Sequence, residues 1–491
     1  MRALLSPLVA CVVVVTGLAC VGVAAEVPVT VRLDVQHPGA AIAPDFSGLS
    51  FEVALVSPGP DGVHYFRPDN ARLLALFHTL GITHLRIGGN TSDRDAKRLP
   101  SEADLDSLFA FAQAAGVKVI YCLRLHNGDA QEAARTAKHI MDHYAAQVDC
   151  FSIGQEPSAY PVGKVETRAP GERMGAAVEK FRYEDYRDEW KRFANEIIGA
   201  VPDVRLCGPS VHNNGTWARR FMTDFARSNH VTLITEHLYP GGAGGKVPSP
   251  EIGRARMLSN DFVHAYQKLY DSFVPMAESN ALPYRLEEVN NYFNGGATNV
   301  SNTFASALWG LDFMHWWAAH GAAGVDFHTG DRVAAGSQMR PSRYTAFFTG
   351  TNGFVVRPLG YGIKAFALGS RGHSLPLNVS AHPGLNLSAY AVLAPDRTVF
   401  VTLINKQHGP GEAAASVRLD AGADCARGEV IFLAAPDGDI AAQTGVTLGG
   451  ADIKADGTWS GTWTALDPSS AGLFTLRLPP ATAAIVRLTG P

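Results

Sequence analysis

The sequence predicts an α/β protein, a (β/α)8 TIM barrel followed by a C-terminal β-sandwich domain. From Ile42 to about Gly330, short apolar runs alternate eight times with amphipathic helical stretches, the pattern of a parallel sheet wrapped by helices. After about Gly353 the pattern changes to alternating segments such as Leu387 to Val392 and Thr398 to Ile404, joined by Pro395-Asp396-Arg397, and no long helical pattern returns. A chain of 491 residues has room for both units.

The chain opens with Arg2, an apolar stretch from Leu8 to about Val23, and Ala24-Ala25-Glu26. This is the profile of a secretory leader over residues 1–25 and implies a secreted or periplasmic protein. Gly17-Leu18-Ala19-Cys20 approximates a bacterial lipoprotein acylation site with its Leu one place late, which leaves a lipid-anchored form through Cys20 as the alternative. No other segment offers the roughly 20 apolar residues that span a bilayer. Residues 26–40 hold an alternating stretch, Val27 to Val35, expected to join the sandwich from the other end of the chain. The barrel is assigned to residues 41–351 and the sandwich to 352–491.

The predicted barrel strands are Phe46 to Val53, His84 to Gly88, Val117 to Leu123, Cys150 to Gly154, Val204 to Gly208, Val231 to His237, Tyr284 to Val289 and Gly324 to His328. Among the helices, Asn70 to Leu80 has apolar residues at 73, 76, 77 and 80 and stops at Gly81, a C-cap signature. Asp129 opens another as N-cap, and Tyr183 to Ala200 forms a long amphipathic one. Lys+Arg 42 against Asp+Glu 46 gives a formal charge of -4, which points away from nucleic acid and anionic membranes as partners. Beyond Cys11 and Cys20 in the leader, Cys122, Cys150, Cys207 and Cys425 lack zinc-site spacing. The first three of these lie in apolar runs and read as small buried hydrophobes.

Barrel chemistry gathers at the carboxyl ends of the strands, so the polar residues closing each run carry the functional signal. In strand order they are Glu52; Arg86, Asn90 and Asp93; His126 and Asn127; Gln155 and Glu156; Asn213 and Asn214; Glu236, His237 and Tyr239; Glu288 and Asn290; His328 and Asp331. Two glutamates raised on separate strands, Glu156 and Glu288, supply what cleavage of a glycosidic bond needs, one acid and one nucleophile. His126, His237 and His328 come from three strands without the spacing that preforms a metal site and are assigned to hydrogen bonding at the rim; no metal or organic cofactor is expected. Trp190, Trp309, Trp316 and Trp317 fall on predicted helices as packing residues. Trp217, after the polar loop Asn213-Asn214-Gly215, is a candidate platform for the leaving group. Strand alternation sends the adjacent Glu287 and Glu288 to opposite faces, so one of them faces the barrel axis. Tyr284 and Leu286 share the face of Glu288, whereas Arg285 and Glu287 would face the helices; this patterning leaves the choice open.

F-S-G-L-S-F-E (46–52), L-R-I-G-G-N-T-S-D (85–93), I-G-Q-E-P (153–157), H-L-Y-P (237–240), R-L-E-E-V-N-N-Y-F-N-G-G (285–296), V-S-N-T-F-A-S-A-L-W-G-L-D (300–312) and G-V-D-F-H-T-G (324–330) resemble, in order, glycoside hydrolase family 79. This is the β-glucuronidase and heparanase-like family of clan A, and V-R-P-L-G-Y-G-I-K-A-F (356–366) extends the resemblance past the barrel. The resemblance implies a retaining exo-β-glycosidase that hydrolyses terminal β-D-glucuronides through a covalent glycosyl-enzyme intermediate, with carbohydrate as its partner. It makes Glu156 the acid/base and, through the alignment of Arg285 and Asn290, Glu288 the nucleophile. Arg86 and Tyr239 would flank that nucleophile, Glu52 and Asn90 would bind sugar hydroxyls, and backbone N–H groups of Asn294, Gly295 and Gly296 would receive the sugar carboxylate.

Two departures stand out. Gln155 replaces the usual Asn before the acid/base; one methylene longer, it still offers an amide to a 2-hydroxyl. Gly330-Asp331-Arg332-Val333 has no nearby tyrosine for the carboxylate, which makes Arg332 a substitute cation and puts Tyr344 within reach. The missing tyrosine leaves a xylosidase- or glucosidase-type clan A enzyme as the alternative. Gln155 leaves a non-catalytic glycan-binding surface protein.

Overall fold

The structure is a computed structural model and describes residues 26–93, 98–160, 181–331, 333–335 and 338–490. The leader assigned to residues 1–25, Cys20 and Arg332 lie outside the described residues. Strand β1 (Glu26–Leu33) precedes eight parallel strands that close a barrel: β2 (Ser47–Glu52), β3 (His84–Gly88), β4 (Lys118–Leu123), β5 (Val148–Ile153), β6 (Leu206–His212), β7 (Val231–Leu238), β8 (Tyr284–Val289) and β9 (Gly324–His328), with β9 returning to β2. The helix Ala71–Leu80 starts where the Asn70 side chain accepts from the Leu73 N–H. It ends at Gly81, whose φ of 71° suits a residue without Cβ. Asp129 caps Ala130–Tyr144, and Tyr183–Ala200 is helical throughout.

The inward-facing side chains form layers along the barrel axis. At the amino end of the strands, buried His84 bonds Asp326 at 2.6 Å and meets Asp149 at 3.4 Å, while Arg285 reaches Asp326 at 3.4 Å and Asp45 at 3.3 Å. Ile120, Cys150, Cys207 and Leu233 form a small apolar cluster. Cys122, Cys150, Cys207 and Cys425 are buried free thiols.

Strand β8 departs from simple alternation. Against β7, Glu236 pairs with Leu286 but His237 pairs with Glu288; against β9, Leu286 pairs with Val325 and Val289 with Phe327. Both neighbours therefore see one extra residue in β8, a bulge at Glu287. The expectation that Arg285 and Glu287 face the helices is overturned. Tyr284 packs outward on Tyr270, Phe273 and Trp317, Arg285 and Glu287 point inward, and the bulge turns Glu288 inward as well.

The expectation of no helix after Gly353 is also corrected, because Pro358–Gly369 is helical. Nearly every residue from Pro358 to Phe366 is buried, so the segment has no polar face to mark a helical period, and its glycines dilute its propensity. It packs against the barrel helices Phe304–Ala319 and Ala71–Leu80, on the outer ring and beyond residue 351, where the sequence reading ends the barrel.

Two antiparallel-rich sheets complete the chain and share one core of residues such as Val31, Val401, Val417, Phe474 and Val486. Strand β1 lies inside the five-stranded sheet, antiparallel to Leu377–Ala381 and parallel to Ala414–Asp420. A buried ion pair ties this unit to the barrel: Asp312 accepts from Lys406 Nζ at 2.8 Å and from the Tyr390 hydroxyl at 2.7 Å.

A Cβ on Gly362 would stand 2.3 Å from the Ala307 carbonyl oxygen of the facing helix. Helix propensity alone favours Gly362→Ala by about 1 kcal/mol, whereas forcing two helices apart costs about 1–3 kcal/mol. The close approach should win. Denaturant unfolding of Gly362→Ala is expected to show net destabilisation, and a more stable variant would contradict this packing.

Candidate active site

Glu288 ends up inside the barrel mouth because of the β8 bulge, and three donors fix its carboxylate. Arg86 Nη1 donates to Oε2 at 2.7 Å, Gln155 Nε2 donates to the same oxygen at 3.0 Å, and the Tyr239 hydroxyl donates to Oε1 at 2.9 Å. Burial opposes the charge on Glu288. His328, His237 and Arg86, with the Tyr239 hydrogen bond, outweigh it and hold the carboxyl well below the usual range. Arg86 is fully buried and also donates to Gln155 Oε1, so the guanidinium positions both the carboxylate and the amide beside it.

Glu156 stands at the end of β5 in a left-handed backbone conformation, φ 46° and ψ 54°. That uncommon geometry is held locally: its N–H donates to the Ser210 carbonyl at 2.9 Å, and its own carbonyl accepts from Ala159 at 2.9 Å. Buried Asp93 braces the turn by accepting from the N–H groups of Gln155, Leu125 and His126 and from the Tyr160 hydroxyl. His237 Nδ1 lies 3.2 Å from Glu156 Oε1. One side-chain ligand atom each from Glu156, His237 and Glu288 falls within 4.8 Å of the others, so the two carboxylates face each other across a short gap.

The other sequence-predicted residues fall into distinct roles. Gln155 spends both ends of its amide on the protein: Oε1 accepts from Arg86 and from the Gly89 N–H at 3.2 Å, and Nε2 bonds Glu288. Its extra methylene carries the amide to Glu288 Oε2. Glu52 caps the short helix Asn90–Asp93, accepting from the Thr91 N–H at 2.8 Å and hydroxyl at 2.7 Å, and lies 3.5 Å from His328 Nε2. Asn90 is exposed beside it. Asn294, Gly295 and Gly296 have φ of 60°, 76° and 84°; a Cβ on Gly296 would stand 3.1 Å from the Tyr344 nitrogen. Asn290 Nδ2 donates to the carbonyls of His328 and Tyr344, which fastens this loop to β9.

Tyr344, farther along the chain than the segment after β9, comes back to the barrel mouth. Its ring centroid is 6.3 Å from Tyr239 and 6.0 Å from His328. The strands Val333–Ala335 and Gln338–Arg340 pair as a hairpin between β9 and Tyr344, so distance along the chain hid the contact. Trp217 packs against Tyr183 and Tyr186 between two outer helices, which commits its ring to packing. His126 lies against Tyr160, with ring centroids 4.7 Å apart and planes tilted by 36°. Sequence reasoning missed the inward Glu287 because a bulge leaves no compositional mark. It missed the Asp93–Tyr160 brace because Tyr160 closes no apolar run.

Among the described residues, two sets of carboxylate and imidazole atoms are close enough to share an ion, Glu156/His237/Glu288 and Asp45/His84/Asp149. Each already has a protein cation against it, Arg86 on Glu288 and Arg285 on Asp45. Burial pushes the Glu236 carboxyl up to about 8, with its Oε2 accepting from the Asn214 N–H. Burial would lower His237, but Glu288, Glu156 and Glu287 raise it to about 9.

With this geometry in place, comparison with known proteins places the barrel. Residues 100–315 match the glycosyl hydrolase family 79 N-terminal domain. A β-glucuronidase of Aspergillus niger is 25% identical to this chain over 354 residues, a match spanning 63% of the chain and 61% of the fungal protein's length. Among solved structures, a 4-O-α-L-rhamnosyl-β-D-glucuronidase from Fusarium oxysporum superposes with a TM-score of 0.72 at 16% identity, covering 93% of this chain and 99% of its own. A GH51 arabinofuranosidase from Xanthomonas axonopodis pv. citri has a TM-score of 0.65 at 15% identity, covering 94% and 100%. At these identities the superpositions speak for the fold, barrel and sandwich together.

A carboxyl or imidazole that holds its proton more tightly folded than unfolded loses stability as pH rises between its two pKa values. For Glu236 that window runs from 4.5 through about 8, and for His237 from 6.5 through about 9. The melting temperature should therefore decline across the alkaline side of this range. Glu236→Gln removes one of the two titrations and should flatten the decline. Parallel melting curves for wild type and variant across the whole range would show that Glu236 titrates normally.

Proposed function

We propose that the chain is a retaining exo-β-glycosidase that hydrolyses terminal β-D-glucuronides. The observation that carries the reading is the short gap between Glu156 and Glu288, with ligand atoms within 4.8 Å at the carboxyl ends of β5 and β8. Retaining enzymes hold their carboxyl groups about 5–5.5 Å apart, whereas inverting ones need about 6.5–9.5 Å to admit a water between them. Glu288, ionised and bound by three donors, attacks the anomeric carbon. Glu156 protonates the departing oxygen and then, as a carboxylate, takes a proton from the water that hydrolyses the glycosyl-enzyme. Arg86 and Tyr239 keep the nucleophile charged and oriented.

For the sugar, the support is the 25% identity to a β-glucuronidase and the meeting of Gly295, Gly296 and Tyr344 beside the nucleophile. Backbone N–H groups in a left-handed run, with a phenol next to them, suit a carboxylate better than a hydroxymethyl group. Arg332, outside the described residues, is proposed as a further cation for the same carboxylate. The carbohydrate enters from the barrel mouth, and export of the mature chain fits an extracellular or periplasmic glycan.

Glu288→Gln should abolish turnover. Glu156→Ala should lower kcat/KM by roughly 10²–10⁴ for glycosides with poor leaving groups and far less for activated ones, since general acid help is needed only by the former. Azide added to the Glu156→Ala protein should yield a β-glycosyl azide; an α-azide would indicate inversion and sink the mechanism. Across a panel of aryl β-glycosides, the glucuronide should be preferred over the glucoside and xyloside.

Losing one hydrogen bond to a carboxylate costs about tenfold, so Tyr344→Phe should raise KM for the glucuronide by about that factor and leave the glucoside unchanged. Equal effects on both sugars would remove Tyr344 from carboxylate recognition.

A further inference from the structure

Glu287 is a titratable group that the two-carboxylate mechanism does not use. It is fully buried by the β8 bulge, and neither of its oxygens has a hydrogen-bond donor among the described residues. It does have charge partners: His237 Nε2 lies 3.5 Å from Oε1, and Arg86 Nε lies 3.9 Å from Oε2. Both are themselves fully buried. The other ring nitrogen of His237 is the one that meets Glu156, at 3.2 Å. A single imidazole thus bridges the acid/base to a second, hidden carboxylate.

We propose that Glu287 is a positioning residue whose negative charge offsets the His237 imidazolium it faces, and so keeps that cation from drawing the proton off Glu156 before the glycosylation step. The proposal rests on the retaining-glycosidase reading for its catalytic consequence, but not for the charge state of His237.

The charges around the site make the argument. With Glu236 protonated, the carboxylates of Glu52, Glu287 and Glu288 face the cations of Arg86, His237 and His328. Among these described residues the charges stand three against three, and removing the Glu287 carboxylate shifts that tally by one positive charge. Tyr186, Cys150 and Cys207 also face Glu287, and burial keeps their hydroxyl and thiols neutral. Burying a carboxylate costs stability, and attraction to the nearby His237 and Arg86 offsets that cost only while they stay charged. Neutralising Glu287 leaves an excess cation next to Glu156, so its proton should leave at lower pH. Neutralising His237 does the reverse.

The test is the pH dependence of kcat/KM, whose alkaline limb reports loss of the proton from the essential acid. Glu287→Gln should move that limb toward lower pH by roughly one unit, the size expected of one like charge several ångströms away. His237→Asn should move it upward, and Glu287→Asp, which keeps the charge, should restore the wild-type position. A limb unmoved in Glu287→Gln, with the rate alone reduced, overturns the proposal. If Glu287→Gln does not fold, a downward or absent shift in His237→Asn overturns it instead.

A second readout needs no turnover. In protein labelled with ¹⁵N-histidine, the signal missing from His237→Asn identifies His237, which should remain imidazolium through neutral pH and titrate at least about one unit lower in Glu287→Gln. Identical titration in both proteins overturns the proposal. Failure of the wild type to cleave any glycoside, with the NMR shift present, removes the functional reading alone.

Discussion

One extra residue in β8 sets the geometry of the barrel mouth. Without the bulge, Glu287 and Glu288 would alternate, and one buried charge would be pressed among the tyrosines and tryptophans of the helix layer. With it, both carboxylates turn inward, where Arg86 reaches each of them, at 3.9 and 2.7 Å. The arrangement of Gln155, Tyr239, His237 and His328 follows from where those two charges lie. Bulges re-aim side chains at functional sites in many sheets; here the re-aimed side chain is the nucleophile of the proposed reaction.

The barrel interior is accordingly more ionic than a structural core requires. Near the strands' amino ends, His84 pairs with Asp149 and Asp326, and Arg285 with Asp326. The small apolar cluster of Ile120, Cys150, Cys207 and Leu233 is distinct from the main core and from these charges. Buried charges of this kind are weak contributors to stability and strong constraints on position. They hold Glu156 and Glu288 against a rigid wall, which is what a reaction with tightly specified carboxylate spacing needs.

Much of this was legible in the sequence because strand ends are marked twice, by the apolar run and by the polar residue that closes it. His84–Gly88, Tyr284–Val289 and Gly324–His328 appear in the structure with the boundaries read from the sequence. Glu156, Glu288, Arg86 and Tyr239 converge as the motif order implied. What stayed hidden depends on register and long-range closure. The bulge at Glu287 changes facing without changing composition, and Tyr344 comes back to the site through a hairpin. Pro358–Gly369 is buried on all sides and so shows no helical stripe. Glu52 and Trp217 were found in the right part of the fold, but their side chains are occupied with capping and packing.

The first described strand, β1, sits between Leu377–Ala381 and Ala414–Asp420 rather than beside its neighbours in sequence. A ribosome adding about 5–20 residues per second takes on the order of tens of seconds to supply those partners after β1 has emerged. Until then the sheet has a vacant lane, and β1 is an unpaired edge looking for another chain. The barrel can assemble earlier from its own contiguous segments. A nascent or clipped chain lacking Leu377–Ala381 or Ala414–Asp420 would expose the gap to chaperones and proteases.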